Sequence, residues 1–394
     1  MQPTDIKHPD YFHKVVDCQW ACPSHTPVPE YIRLIAAGRY GDAYMVNWNS
    51  NVFPGILGRT CDRPCEPACR RGRVEEENQP KPEPVAICRL KRVAADYKDA
   101  DEIKKHMPRP AKKKNGKKIA CVGAGPASLT VARDLAPLGY DVTVFDQDPR
   151  AGGMIWSQIP RFRLPLEVID EEVGYILDLG VHFKQRKVDS LKRLMTEGWD
   201  AIFIGSGAPR GRDLDIPGRK EAAKNIHIGI DWLSSVSFGH TTKIGKRVIV
   251  LGGGNTAMDC CRTSRRIGGE DVRVIVRSGF DEMKASPWEK EDAMHEGIPI
   301  LNFLVPKTFQ HTNGKLTGMT FEKVKAVYDE KGKRSLVTTG EPDQFFECDD
   351  VLVAVGQENA FPWIERDSGV EFDKWGLPQL NKATFQSTVP NIFF

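Results

Sequence analysis

Two short glycine-rich turns constrain this chain more than any other feature of its sequence. Each turn follows a short apolar segment, residues 118–122 or 247–251, and precedes a segment of helical character and a further apolar segment. Alternation of strand, glycine turn, helix and strand is typical of units that build a parallel sheet. The sequence therefore predicts an α/β fold with two Rossmann-like dinucleotide-binding domains. The predicted helices cover residues 128–138 and 256–266, and the strands after them cover 141–145 and 272–276.

The first turn has the spacing of a phosphate-binding loop. Gly123 permits a tight turn, Gly125 lets the backbone approach a pyrophosphate, and the small Ser128 lets the helix pack on the strand. The helix N-terminus offers free N–H groups to the phosphates, and Asp146 ends the next strand, where a carboxylate can bind ribose hydroxyls. The predicted binding residues of this turn and strand are Gly123, Gly125, Pro126, Ala127, Ser128 and Asp146.

A second pair of glycines follows Asp146 closely. Gly152, Gly153 and Met154 lie where backbone is expected to pass close to a flavin dinucleotide. This segment favours FAD over NAD at the first site.

The second turn repeats the geometry of the first but ends differently. The candidate turn residues are Gly252, Gly254, Asn255, Thr256 and Ala257, with Ala257 in the small sixth position. Arg277 and Ser278 then end the strand where an NAD-specific site carries an acid. Arginine can pair with a 2′-phosphate, and Lys284 lies close in sequence. The pattern favours NADP(H), although NAD(H), or a solvated Arg277 without a ligand, stays open.

Cysteines cluster at the start of the chain. Six of the ten lie in the first 88 residues: Cys18, Cys22, Cys61, Cys65, Cys69 and Cys88. In a cytosolic chain, such clustering indicates metal or redox chemistry before structural disulfides. The other four, Cys121, Cys260, Cys261 and Cys348, are predicted to be buried as small apolar residues.

Composition indicates how the rest of the chain is arranged. Residues 1–98 are predicted to form short helices around the cysteines, and the lysine-rich residues 99–117 to form a solvated linker. The net charge of +3 gives no argument for a nucleic-acid partner. No apolar run approaches the ~18 residues of a membrane span, and residues 1–10 lack the apolar core of a secretory signal. A cytoplasmic location is predicted.

The joint pattern resembles the small subunit of glutamate synthase. The cysteine-rich start, the first turn, the glycine pair followed by residues 159–165, the second turn and the late segment Ala354–Gln357 occur in the order of that family. The N-terminal half of dihydropyrimidine dehydrogenase and flavin subunits of other iron–sulfur oxidoreductases are similar. The resemblance implies that two groups of residues surround the cofactors. Gly123, Gly125, Asp146, Gly153, Met154, Arg163 and Val188 would surround FAD, and residues 254–257, Arg277, Lys284, Ala354, Val355 and Gly356 the nicotinamide nucleotide.

The cysteine module departs from the family pattern. The family usually carries two [4Fe–4S] clusters, with two further cysteines before the position of Cys18 that this chain lacks. The resemblance implies that one cluster would use Cys22, Cys61 and Cys65 with a fourth ligand near Lys91. Cys88 lies one helical turn before Lys91 and could be this fourth ligand. Cys69 and Cys18 are the other candidates for it. The sequence leaves four possibilities open for this module: one [4Fe–4S] cluster, no cluster, two clusters, or a zinc ion.

The end of the chain is the second departure. The family normally continues beyond residues 391–394 into a helix that faces the flavin, so a truncated chain is expected. The predicted division is a cysteine-rich module (1–98), a linker (99–117), a FAD domain (118–228 and 355–394) and an NAD(P) domain (229–354).

The predicted function is that of an electron-transfer subunit. Hydride would pass between NAD(P)H and FAD without a side-chain acid or base, and single electrons would pass to or from iron–sulfur centres of the module or of a catalytic partner subunit. The chain has no Cys-x-x-Cys, which disfavours a disulfide mechanism. A self-contained NADPH:ferredoxin or acceptor reductase, and a non-catalytic assembly module, are the alternatives.

Overall fold

The computed structural model describes residues 16–73 and 82–394, and the parts of the cysteine module predicted for 1–15 and 74–81 lie outside them. The described chain forms two compact units. The first contains the described residues up to Cys121 together with 126–144 and 161–184. The second contains 122–125, 145–160 and 185–394. The domain boundaries given by the motif order are a different division and stay a prediction.

Six helices are described before the first strand, and all of them belong to the first unit. They are α1 (Asp17–Ala21), α2 (Val28–Ala36), α3 (Tyr40–Asn51), α4 (Pro54–Thr60), α5 (Ile87–Tyr97) and α6 (Ala100–His106), with a 3-10 turn at Arg70–Arg73. The chain breaks between α2 and α3 at Gly38, whose φ is +72°. Glycine adopts this left-handed conformation without steric cost and commonly ends a helix there.

The predicted linker is partly structured, which corrects its description as a solvated segment. Asp99 caps α6 because its carboxylate accepts hydrogen bonds from the backbone N–H groups of Asp101 and Glu102. Ile103 of this helix is fully buried. The basic residues Lys112–Lys114 are exposed, as the composition predicted.

A five-stranded sheet contains the strands around the first glycine turn. Its order is β16-β4-β1-β2-β3, where β1 is Lys118–Val122, β2 Asp141–Asp146, β3 His182–Gln185, β4 Ala201–Ile204 and β16 Ile392–Phe393. Helices α7 (Pro126–Leu135), α8 (Met154–Ser157), α9 (Leu166–Leu177) and α10 (Leu191–Met195) occur in the same stretch of chain. Strand β1 has the bounds predicted from the sequence.

The second five-stranded sheet is parallel and carries the second turn. Its order is β6-β14-β7-β8-β9, where β6 is Ile226–Ile228, β7 Arg247–Leu251, β8 Asp271–Val276, β9 Ile300–Asn302 and β14 Asp350–Val353. The helices of this region are α11 (Gly229–Ser237), α12 (Asn255–Arg266) and α13 (Pro287–His295). Cys260 and Cys261 are buried within α12, as predicted.

The side chains of β7 point alternately to the two faces of this sheet, and both faces are covered. Val248 and Val250 pack with the helices, while Ile249 and Leu251 point to the opposite face. That second face packs on an antiparallel sheet of four strands, in which β11 pairs with β10, β12 and β13. These strands are β10 (Leu304–Thr312), β11 (Lys315–Tyr328), β12 (Arg334–Thr338) and β13 (Gln344–Glu347), and a separate pair joins β5 (Arg210–Gly211) to β15 (Gln357–Glu358). The predicted α/β class with parallel sheets is confirmed.

Within the described part of the chain, no helix has the length and apolar character needed to cross a membrane.

Candidate functional site

Close backbone packing explains the first glycine of the first turn. Gly123 has a φ of +91°, and a Cβ atom added to it would lie 2.6 Å from the carbonyl oxygen of Gly205. Its N–H donates to the carbonyl of Phe145 at 2.7 Å. A side chain at Gly123 would therefore push apart the strand ends that form the turn.

The glycine pair packs against the same turn. A Cβ on Gly153, whose φ is +55°, would lie 2.7 Å from the Cα atom of Gly125, and the N–H of Gly152 donates to the carbonyl of Ala124 at 2.8 Å. By contrast, a Cβ on Gly125 would meet no described heavy atom within 4 Å. Gly125 thus faces open space, as a backbone that must approach a ligand should.

Asp146 is positioned by the turn that it faces. Its Oδ2 atom accepts the N–H of Ala124 at 2.6 Å, and its Oδ1 atom accepts the N–H of Asp148 at 3.0 Å. Burial, with the neighbouring Asp146 charge, raises the pKa of Asp148. Both Asp146 oxygens keep lone pairs for a ribose hydroxyl.

A cavity of about 420 Å³ lies beside this turn. It is lined by predicted residues Gly123, Asp146 and Val188 and also by Ser206 and Trp363. The Ser206 hydroxyl is buried and has no hydrogen-bond partner among the described residues. An unsatisfied buried hydroxyl in a cavity is expected where a polar ligand binds, so these residues fit an FAD site. Sequence analysis missed Ser206, although its flanking glycines after β4 were a usable signal.

Other residues predicted for the first site lie elsewhere on the chain. Pro126 begins α7 in the first unit, where Ala127 is exposed and Ser128 is fully buried. Arg163 is half-buried in a turn of the first unit. Met154 begins α8 in the second unit and is half-exposed.

Like the first turn, the second turn has one glycine that close packing requires and one that faces open space. Gly252 has a φ of +136°, and an added Cβ would lie 2.2 Å from the carbonyl oxygen of Ala354. Gly254 would place a Cβ in open space. The Asn255 carboxamide holds the next segment, since its Oδ1 accepts the N–H of Ser286 at 2.9 Å, and Ala257 is fully buried against the sheet.

A cavity of about 840 Å³ surrounds the second turn. It brings together nine of the predicted residues, which are Gly252, Gly254, Thr256, Arg277, Ser278, Lys284, Ala354, Val355 and Gly356. Arg212, Glu282 and Arg334 also line it. No local sequence pattern distinguishes these three residues, because they come from segments far from the turn or from an unpatterned loop.

The loop that carries Arg277 and Lys284 is held at several points. The side-chain amide of Asn302 donates to the carbonyl of Ser278 at 2.8 Å, and the N–H of Ala285 donates to the carbonyl of Gly253 at 2.8 Å. The Glu282 carboxylate accepts the Tyr328 hydroxyl at 2.7 Å and the N–H of Gly279 at 2.9 Å. These hydrogen bonds, led by that of Tyr328, lower the pKa of Glu282.

The cysteines of the first unit are brought together by close helix packing. A Cβ on Gly58 in α4 would lie 2.8 Å from the Cα atom of Arg92 in α5, so only glycine allows the two helices to approach this closely. The approach places Cys61, which follows α4, beside Cys88 in α5. A hydrogen bond from the Cys88 thiol, with the nearby Lys91 charge, lowers the pKa of Cys61 despite its burial.

The remaining cysteines lie around this pair. Burial raises the pKa of Cys65 to about 12, although Lys91 opposes the shift, and the charges of Cys61 and Cys22 also act on Cys65. Burial also raises the pKa of Cys18, with a smaller contribution from Cys69. The charges of Cys61 and Cys22 thus act on Cys65, and the charge of Cys69 acts on Cys18, while Cys18, Cys65 and Cys69 all pack in one apolar cluster.

These thiols have the chemistry of iron–sulfur ligands. In residues 16–73 and 82–394, no three histidine, cysteine, aspartate or glutamate side chains converge as ligands of one metal ion would. Soft thiolates are the ligands of iron–sulfur clusters. Cys22, Cys61, Cys65 and Cys88 would be the residues to hold one.

Residues 117–394 match the protein family described as pyridine nucleotide-disulphide oxidoreductase. The chain belongs to this family. Residues 12–103 match the family described as dihydropyrimidine dehydrogenase domain II, 4Fe-4S cluster.

Relatives of this oxidoreductase confirm the resemblance predicted from its motifs. The glutamate synthase [NADPH] small chain of Escherichia coli (strain K12) is 30% identical over 399 residues, which cover 95% of this chain and 82% of that relative. The NADP(+)-dependent formate dehydrogenase subunit beta of Moorella thermoacetica is 34% identical over 405 residues, 95% of this chain and 55% of the relative. The chain spans just over half the length of the first curated relatives that it matches.

Solved structures support the fold of this oxidoreductase. FprA from Mycobacterium tuberculosis in complex with NADPH superposes with a TM-score of 0.57 at 17% identity, covering 70% of this chain and 78% of that one. The thioredoxin reductase of T. acidophilum gives a TM-score of 0.52 at 18% identity, covering 70% and 89%. At this identity the likeness shows the fold alone.

Family membership identifies the cofactors as FAD and a nicotinamide nucleotide, with a 4Fe–4S-type domain before them. The family supplies hydride chemistry through the cofactors themselves. The residues described above would bind and orient these groups. In the described part of this oxidoreductase, the two adjacent cysteines of α12 are fully buried, and burial raises the pKa of both thiols, so neither has the features of a reactive thiol.

Proposed function

We propose that this chain is the flavoprotein subunit of a larger oxidoreductase, exchanging reducing equivalents between NADP(H) and iron–sulfur centres through FAD. The observation that carries the proposal is the cation-lined cavity at the second turn, in a chain that also has a flavin-type turn and a cysteine module. The names of relatives support it, since one is an NADP(+)-dependent formate dehydrogenase subunit and another a glutamate synthase [NADPH] chain.

The chain's own residues would contribute binding and orientation. The turn at Gly252 and Gly254 would hold a pyrophosphate at the N-terminus of α12, and Arg277 with Lys284 would bind the 2′-phosphate of NADPH. Asp146 would bind the ribose of FAD. The proposed division is that predicted from the motifs, with a FAD domain at 118–228 and 355–394 and an NADP domain at 229–354. The proposed location is the cytoplasm.

An anaerobic titration of the full chain with NADPH and, separately, NADH tests this function. We expect NADPH to bleach the flavin absorbance near ~450 nm at a lower concentration than NADH does. Arg277→Leu should raise the Kd for NADPH about 10- to 100-fold, because it removes a charge-assisted contact of about 1.5–3 kcal/mol, and should leave NADH binding within about threefold. Arg265→Leu, an exposed arginine of α12 outside the cavity, is the matched control. A flavin that neither nucleotide reduces would contradict the proposal.

Iron and sulfide analysis tests the cysteine module. Protein prepared anaerobically should contain about four irons per chain if one [4Fe–4S] cluster is present, and Cys65→Ser should abolish them. Cys69→Ser should keep them, because Cys69 is outside the proposed ligand set of Cys22, Cys61, Cys65 and Cys88. Electron paramagnetic resonance of the reduced protein provides the second measurement. Equal loss of iron in both variants would show that the predicted ligand set is wrong.

A further inference from the structure

The second cavity contains a cation that the strand-end pattern does not explain. Arg334 begins β12 and is the ladder partner of Tyr328 in β11, 57 residues beyond Arg277 in the sequence. It lines the same cavity as Arg277 and Lys284. Arg334 therefore faces the same space as Arg277 and Lys284 from a different segment of the chain, and Arg212 also lines that space.

Arg334 pairs with its acidic neighbour by charge but makes no hydrogen bond to it through Nε or Nη2. Its Nη2 atom lies 3.1 Å from Oε2 of Glu282, which is an ion pair by distance. However, Nε and Nη2 are both buried and have no hydrogen-bond partner among the described residues. The Glu282 oxygens accept from Tyr328 and Gly279 instead. Buried guanidinium donors without acceptors are expected where an anionic ligand binds.

The hairpin that carries Arg334 holds it in place. The Asp329 carboxylate accepts the N–H groups of Lys331 at 3.0 Å and Lys333 at 2.7 Å, which closes the turn between β11 and β12. Tyr328 ties the end of β11 to the Glu282 loop. Arg334 is thus fixed relative to the loop that carries Arg277.

Charge balance gives Arg334 a role in this cavity. Asp213 and Glu282 line it, and their carboxylates would repel a phosphate dianion. Arg212, Arg277, Lys284 and Arg334 leave a surplus of two positive charges over these two carboxylates, and loss of Arg334 would halve that surplus.

We propose that Arg334 contacts the adenosine 2′-phosphate together with Arg277 and Lys284 and is a specificity-determining residue for NADP(H). This inference deepens the proposed function and rests on its preference for NADP(H). Arg334 is carried by a β-hairpin that lies outside the glycine-turn motif. The cavity therefore contacts the phosphate from two sides.

Binding of adenosine 2′,5′-bisphosphate and of 5′-AMP to the full chain, measured by calorimetry, tests the inference without flavin reduction. Arg334→Met should weaken binding of the bisphosphate about 10- to 100-fold and change 5′-AMP binding less than threefold. Lys333→Met removes an equal charge from the adjacent exposed residue and should change neither. Equal weakening of both ligands by Arg334→Met would show that the hairpin has only a structural role and would overturn the inference.

A double variant separates direct contact from simple neutralisation. Glu282→Gln with Arg334→Met restores the net charge of the cavity. If Arg334 contacts the phosphate, bisphosphate binding stays at least tenfold weaker than in the wild type. Recovery of wild-type affinity would mean that Arg334 only neutralises Glu282, and the inference would fail. A wild-type chain that binds both ligands equally would contradict the NADP(H) preference itself, which distinguishes the two failures.

Discussion

Replacement of Glu172 by alanine is expected to lower the free energy of unfolding by about 3–5 kcal/mol at pH 6, because several buried hydrogen-bond donors lose their acceptor. Glu172 lies on α9 and is 1% exposed. Its carboxylate accepts the N–H of Gly55 at 2.6 Å, the N–H of Ile56 at 3.0 Å and the Tyr44 hydroxyl at 2.9 Å. The variant would leave three buried donors without a partner. Urea unfolding followed by circular dichroism measures the change.

The position of this carboxylate explains why the effect should be large. Gly55 and Ile56 lie in the first turn of α4, where N–H groups have no partner within the helix. Glu172 satisfies two of them from a residue more than 100 positions later in the chain. A Cβ on Gly55 would lie 3.1 Å from the Glu172 carboxylate, so the small residue is needed for this approach. The contact fixes the helix that leads to Cys61.

The neighbouring glutamate provides the matched control. Glu171 pairs with Lys98 at 2.8 Å, but its side chain is 32% exposed. Glu171→Ala should therefore cost less, about 1–2 kcal/mol, because the Lys98 ammonium, although only 6% exposed, keeps its hydrogen bond to the Ala95 carbonyl at 2.9 Å. Equal losses in the two variants would show that Glu172 does not cap α4 in the way described.

Glu172 should also make stability depend on pH. Burial raises its pKa to about 7, despite the N–H groups of Gly55 and Ile56 and the Tyr44 hydroxyl, which act in the opposite direction. The folded chain then binds more protons than the unfolded chain between pH 4.5 and 7, so stability falls as pH rises through this window. The decrease should be about 3 kcal/mol and should be missing in Glu172→Gln, which urea melts at several pH values can measure.

The sequence predicted local features well, because their causes are local. Strands β1 and β7 have the predicted bounds. Each is a short apolar run next to a glycine turn, and such a strand can be located from the neighbouring residues alone. Arg277, which a local strand-end pattern indicated, lines the cavity at the second turn. In contrast, the Glu172 cap and Arg334 depend on contacts between distant segments. A buried glutamate and a hairpin arginine have no periodic pattern that distinguishes them from solvated charges.

Gly252→Ala is expected to destabilise the protein by about 3 kcal/mol or more, while Gly254→Ala, two residues later, should change stability by less than about 1 kcal/mol. The first substitution puts a Cβ 2.2 Å from the backbone oxygen of Ala354 at a φ of +136°, which forces β7 and β14 apart. The second puts a Cβ in open space at a φ of −103°. Calorimetric melting of both variants measures this difference.

For nucleotide binding, the substitution at Gly254 should have a large effect, although its effect on stability is small. Gly254 lines the cavity, and its backbone is where a pyrophosphate approaches in glycine turns of this type. Gly254→Ala should therefore weaken NADPH binding about tenfold or more in a chain that melts normally. Undiminished affinity in this variant would mean that the pyrophosphate does not approach Gly254. The two glycines thus serve different purposes: Gly252 allows the sheet to close, and Gly254 leaves room for the ligand.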